Sequence, residues 1–211
     1  VVDITFSCYR ESLNMQDNWN IVGQIVALTI SLFLSGCQPS GSSVNSSASV
    51  GDDWPVYGGD AGGLKYSPLT DIDRNNVSKL QPVWTWETRE QAIPSASSPL
   101  QGERVAPGAF EATPIVINDT MWVSTPYNRV VALNAETGAE YWSYDPKAYE
   151  WGNLHRGCRF CHRGITQWSD GQERRIFLNS RWRLIALDAA TGEMIPSFGN
   201  GGEVDLTKGL A

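Results

Sequence analysis

Two kinds of apolar pattern divide the chain. Ile21 to Leu34 (IVGQIVALTISLFL) is a single apolar stretch of 14 residues. That is short for a helix crossing a bilayer, which needs about 20 residues, and suits the core of a signal peptide. From Asp53 onward the pattern changes to short apolar runs separated by polar turns. Pro114 to Ile117, Thr120 to Ser124, Arg129 to Leu133 and Glu140 to Tyr144 read as four successive strands, with turns at Asn118-Asp119 and Asn134 to Gly138. Gly164 to Trp168, Arg175 to Asn179 and Arg183 to Leu187 read as three more, with a turn at Asp170-Gly171.

These strands belong to a repeat. Trp122 to Gly138 matches Ile176 to Gly192 without a gap, so that Ala132 recurs as Ala186, 54 positions on. A period of this length points to propeller blades or a solenoid, and four short strands with polar turns make one propeller blade. The repeated turn has a local logic. Asn134 or Asp188 bonds its side chain to the backbone N–H groups ahead, and Gly138 or Gly192 adopts a positive φ. Trp142 follows the first turn and is placed to lie flat between blades; Pro196 takes that place after the second. Two blades leave open edges and cannot close a ring, so the expectation is a partial propeller whose remainder lies elsewhere. The first residue is Val1 rather than Met, which agrees with an unusual start or a fragment.

The apolar stretch ends in Leu34-Ser35-Gly36-Cys37, which resembles the bacterial lipobox, where the Cys is lipidated and becomes the new N-terminus. A Ser-rich polar tether follows as far as Ser49. The expected organisation is a leader over residues 1–36, a lipidated Cys37 with a tether over 37–52, and the propeller over 53–211. Met15 to Asn20 lacks the positive charge usual at the start of a leader, so an uncleaved anchor or a buried apolar helix stands as the other reading. The lipoprotein reading makes the protein periplasmic and anchored to the outer membrane by its N-terminal lipid.

Composition narrows the class. Nine Trp and 20 Gly in 211 residues suit a turn-rich all-β fold. The net charge is -7 and no Lys/Arg run occurs, which argues against nucleic acid as a partner. The four Cys, at positions 8, 37, 158 and 161, are too few for a disulfide scaffold. Cys158-Arg159-Phe160-Cys161-His162 reads locally as Cys-x-x-Cys-His, the attachment pattern of c-type haem.

The repeated Ala-Leu-Asn/Asp-Ala-x-Thr-Gly, with Trp142 after its first copy, resembles the tryptophan-docking repeat of pyrroloquinoline quinone propellers. Four further segments narrow the resemblance to the quinoprotein glucose and alcohol dehydrogenases. They are Trp54 to Asp60 with Lys65 to Leu69, Asn76-Val77, Leu80 and Trp84; then Phe110 to Pro114; then His162 to Trp168; then Phe198 to Leu206. Together they span about residues 53–210. The resemblance implies an eight-bladed, all-β propeller of which this chain supplies the first one or two four-stranded blades.

It also implies site residues. Arg163 stands where the family has a cofactor-binding Arg, whose forked guanidinium pairs with a carboxylate of the quinone; an ordinary surface ion pair is the plainer alternative. Glu111 stands where a family Glu touches the polar rim of the cofactor, against a structural Glu bonding to a turn. Some alcohol-oxidising members place a vicinal disulfide a few residues before this Arg, which suggests a Cys158–Cys161 disulfide. Haem c on Cys158, Cys161 and His162 and free thiols stay open beside it, although a haem there would collide with the quinone pocket. His155 receives no role, and Trp151 and Trp168 read as packing residues.

The implied activity is oxidation of a sugar (glucose or another aldose) or an alcohol by hydride transfer to pyrroloquinoline quinone, with electrons passing to ubiquinone or cytochrome c. A calcium ion would polarise the quinone carbonyl and an Asp base would take the substrate proton. Both belong to later blades and are expected beyond Ala211, so the fragment alone would be inactive. Two rivals share the repeat: a non-enzymatic propeller lipoprotein of the outer-membrane assembly type, and a haem c-bearing electron-transfer propeller.

Overall fold

The computed structural model describes the backbone of Asp3–Phe6 and residues 53–94, 104–152, 160 and 162–209. The apolar stretch, Cys37, the tether, His155, Cys158 and Cys161 lie outside the described residues.

In chain order the strands are β1 (Asp3–Phe6), β2 (Trp84–Glu87), β3 (Ile93–Pro94), β4 (Arg104–Val105), β5 (Ile115–Ile117), β6 (Thr120–Ser124), β7 (Val130–Asn134), β8 (Glu140–Tyr144), β9 (Thr166–Ser169), β10 (Arg174–Ser180), β11 (Arg183–Asp188) and β12 (Glu203–Asp205). Two short 3-10 helices, Val77–Lys79 and Ala148–Trp151, complete the regular structure of these residues. Two four-stranded antiparallel sheets dominate, β5-β6-β7-β8 and β12-β11-β10-β9. They are the two repeat units, each a meander in which sequence neighbours pair. A segment read as a leader contributes β1, which pairs antiparallel with β2.

Burial explains the sequence pattern. β6 and β7 are buried along nearly their whole length, while β8 is mostly exposed. A central strand covered on both faces reads as a continuous apolar run, and an outer strand does not. One face of the first sheet (Ile115, Ile117, Trp122, Val130, Ala132) packs with Ile176, Leu178, Ile185 and Leu187 of the second. The other face (Met121, Val123, Val131, Leu133) packs under Trp84 and Trp86. The sheets are therefore stacked face to face, as successive blades are.

The turn that closes each third strand is built alike in both blades. Asn134 Oδ1 accepts from the N–H groups of Glu136 (3.0 Å) and Thr137 (2.7 Å), and Asp188 Oδ1 accepts from those of Ala190 and Thr191, both at 2.9 Å. Gly138 and Gly192 end these turns at φ 72° and 75°. Each bare glycine lies under an indole. Trp84 covers Gly138 and donates from Nε1 to the Ala135 carbonyl (3.1 Å); Trp142 covers Gly192 and donates to the Ala189 carbonyl (3.2 Å). β2 therefore holds the same place before the first blade that β8 holds before the second.

The last strand, β12, was not marked as a strand by its sequence. It follows a Gly-rich loop and pairs through only three residues with β11. Trp151 and Trp168, read as packing residues, are 42% and 46% exposed. Each instead supports a cation: Arg183 sits 4.5 Å from the ring centre of Trp151 and Arg175 sits 5.3 Å from that of Trp168.

Candidate cofactor site

The position of the site follows from strand direction. β5 and β9 open the two blades, and just ahead of them Thr113 and Gly164 form a parallel bridge in which Thr113 N–H donates to the Arg163 carbonyl (3.0 Å). Backbones of successive blades approach this closely only towards the hub of a propeller. Both first strands run away from this bridge, so its end of the blades also carries the β6–β7 loop, the β8–β9 link and the β10–β11 turn. The Asn134 and Asp188 turns lie at the opposite end.

Glu111 precedes Thr113 by two residues and Arg163 precedes Gly164 by one, so the bridge brings the two candidate residues together. Arg163 Nη1 lies 3.3 Å from Glu111 Oε2, with the Arg side chain 79% exposed and the Glu side chain 36%. Gly164 has φ 133°, and a Cβ there would stand 2.8 Å from the Thr113 carbonyl oxygen. The close approach that pairs Glu111 with Arg163 thus requires a glycine.

The same end is held by a polar network with no motif of its own in the sequence. Glu90, nearly buried, accepts from the Thr125 hydroxyl and from Tyr127 N–H (3.0 Å), with Arg129 Nε 3.4 Å away. Burial pushes its carboxyl above the usual range, against the opposing effect of those donors and of Arg129. Asn128, also buried, donates to the Phe160 carbonyl (2.8 Å) and accepts from the Ser180 hydroxyl (3.2 Å), so it joins three segments. Arg181 donates to the carbonyls of Ala148 (2.6 Å) and Gly152 and lies over Phe160. One signal in the sequence pointed here: Arg129 and Arg183 hold the same place in the repeat, and each meets a carboxylate, Glu90 and Glu203 respectively.

His162 is part-buried, with Nδ1 3.0 Å from the Gly164 carbonyl. That oxygen only accepts, so Nδ1 carries the proton. Burial holds the imidazole below its usual range, while the Gly164 and Thr125 backbone groups favour the charged ring.

The arrangement offers a forked cation, still largely in solvent, and an acceptor beside it on the hub side of two blades. Such a pair can meet an anionic ligand that also carries a hydrogen-bond donor. Arg163 has exposed N–H groups to give a carboxylate, and Glu111 is near enough to share the same ligand. Among the described residues no cluster of His, Cys, Asp and Glu could hold a metal ion. A cleft of about 520 Å³ beside Trp122 and Trp142 is lined by neither candidate and belongs to the seam between blades at the far end.

Known proteins similar to this chain include quinoprotein dehydrogenases. The chain is 30% identical over 174 residues to the glycerol dehydrogenase large subunit of Gluconobacter oxydans, covering 78% of this chain and 22% of that protein. It is 31% identical over 173 residues to the quinoprotein glucose dehydrogenase of Escherichia coli, covering 75% and 20%. Among solved structures it superposes on the quinohemoprotein alcohol dehydrogenase of Comamonas testosteroni with a TM-score of 0.56 at 28% identity, covering 74% of this chain and 20% of that one. The chain spans about a fifth of the length of these relatives. The family model described as PQQ, the β-propeller domain of glucose/ethanol/alcohol dehydrogenases, matches residues 54–211, and the chain belongs to that family.

Proposed function

We propose that this chain is the opening part of an exported quinoprotein dehydrogenase that oxidises a sugar or an alcohol, with Arg163 and Glu111 holding pyrroloquinoline quinone. The observation that carries the reading is the Glu111–Arg163 pair, set at the hub side of two adjacent blades by the Thr113–Gly164 bridge. Pyrroloquinoline quinone, when bound, supplies the two-electron acceptor that such an oxidation needs.

The residues of this chain serve binding. Arg163 neutralises a carboxylate of the cofactor, and its planar fork fixes the direction of approach. Glu111 accepts a proton donor on the rim of the cofactor, with Arg163 offsetting its charge. The network around Glu90, Asn128 and Arg181 keeps the surrounding loops in register. The general base and the calcium ligands are assigned to chain beyond Ala211, and ubiquinone or cytochrome c takes the electrons. Export places the enzyme in the periplasm, and lipidation of Cys37 anchors it to the outer membrane. A Cys158–Cys161 disulfide suits that oxidising compartment.

The test is made on the product of the complete reading frame, expressed for export and supplied with calcium and pyrroloquinoline quinone. Dye reduction is followed with glucose and then with ethanol. Quinone-dependent reduction with either substrate supports the dehydrogenase and begins to settle its substrate. A folded protein that binds no quinone refutes the reading and leaves the scaffold propeller in its place.

A further inference from the structure

We propose that His162 is the positioning residue that sets the reach of Arg163; the inference rests on Arg163 being the cation that meets the cofactor. The Arg163 side chain is 79% exposed, and its described ion-pair partner is Glu111 alone. A long side chain so placed takes its aim from the backbone beneath it, and the loss of its rotamer freedom opposes ligand binding. That backbone is pinned on both sides. The Arg163 carbonyl accepts from Thr113 N–H at 3.0 Å, and the next carbonyl, that of Gly164, accepts from His162 Nδ1 at 3.0 Å. The imidazole therefore spans Arg163 and closes a small loop of which Arg163 is the apex.

The ring has one way to serve. Its Nε2 is shut off from solvent and meets no hydrogen-bond partner among the described residues. A flipped ring would lose the bond to Gly164, and burial disfavours a second proton although the Thr125 backbone lies within its reach. His162 is thus held as a neutral donor at Nδ1, a strut rather than a charge. Thr125, whose backbone lies near the ring, belongs to the loop that Glu90 anchors, so the strut is tied to the wider network.

The experiment compares quinone affinity in variants of the complete apoprotein, read by equilibrium titration of bound-quinone absorbance rather than by turnover. His162→Asn keeps an N–H near the place of Nδ1, whereas His162→Gln moves it to the place of Nε2. The expected result is near-normal affinity for H162N and a loss of about tenfold or more for H162Q, the scale typical of partners that orient a binding group. In an Arg163→Ala background, H162Q adds no further loss. Equal affinities for H162N and H162Q overturn the proposal, as does a double variant whose loss is the product of the two single losses. Near-ultraviolet circular dichroism establishes that each variant is folded. Wild-type protein that binds no quinone, or R163A that binds it normally, would instead overturn the reading of Arg163 on which the proposal stands.

Discussion

The indole of Trp142 lies on Gly192, so close that a Cβ built on the glycine would come within 2.4 Å of the ring atom Cε3. The pair joins the outer strand of one blade to the turn of the next. Gly192→Ala meets two costs, the collision and a backbone at φ 75°. Together they should lower the unfolding free energy by about 2–4 kcal/mol. In a Trp142→Ala background the collision vanishes, and the same substitution should cost only about 1 kcal/mol. Urea denaturation of the four proteins measures the coupling; equal costs in both backgrounds would show that the indole is not the obstacle.

Arg163 and Glu111 form an exposed ion pair, which contributes little to folding. Arg163→Ala should change the unfolding free energy by less than about 0.5 kcal/mol, while quinone affinity falls sharply. Chemical denaturation and quinone titration on the same protein separate the two effects. A large loss of stability would move Arg163 from the site to the scaffold.

Glu90 titrates above the ordinary carboxylate range because it is buried. The folded state therefore holds this proton at a pH where the unfolded chain has released it. Stability contributed by the group is lost as pH rises through the interval just above the ordinary Glu range, and regained as pH falls. Glu90→Gln removes that titration. The advantage of wild type over E90Q should grow as pH drops from 7 towards 4.5, measured by urea denaturation at each pH; an advantage that shrinks would reverse the assignment.

Tyr149 is pushed up to about 12 by burial, and by the Asp145 carboxylate that accepts its hydroxyl proton at 2.9 Å. Absorbance at 295 nm should show equal tyrosinate in wild type and Tyr149→Phe up to about pH 11, with the difference appearing only near pH 12. A difference already present at pH 10 would mean that the burial of Tyr149 and its bond to Asp145 do not hold in solution.

Much of the blade architecture was legible in the sequence because the repeat states it twice. Asn134 and Asp188 make the same turn, and strands covered on both faces leave unbroken apolar runs. Trp142 was legible for the same reason, since its distance from a Thr-Gly turn is a local fact. Glu111 and Arg163 were named from the resemblance, but their meeting depends on Thr113 and Gly164, which lie far apart in sequence. β12 escaped notice because three residues after a Gly-rich loop carry no periodicity. Glu90 escaped because a carboxylate becomes a buried clamp only when a distant loop folds over it. Trp151 and Trp168 were misplaced because a tryptophan under an arginine and a tryptophan in a core look alike in sequence.

The indole–glycine pairs also have an arrow. Trp84 waits for a glycine 54 positions later, and Trp142 for one 50 positions later. During synthesis each indole leaves the ribosome well before its seat exists, so each blade rim stays unlatched until its successor has turned its third corner. The two sheets are then latched in the order of the chain, like a zip that runs one way. A chain halted between Trp142 and Gly192 would display a bare indole, an obvious handle for a chaperone.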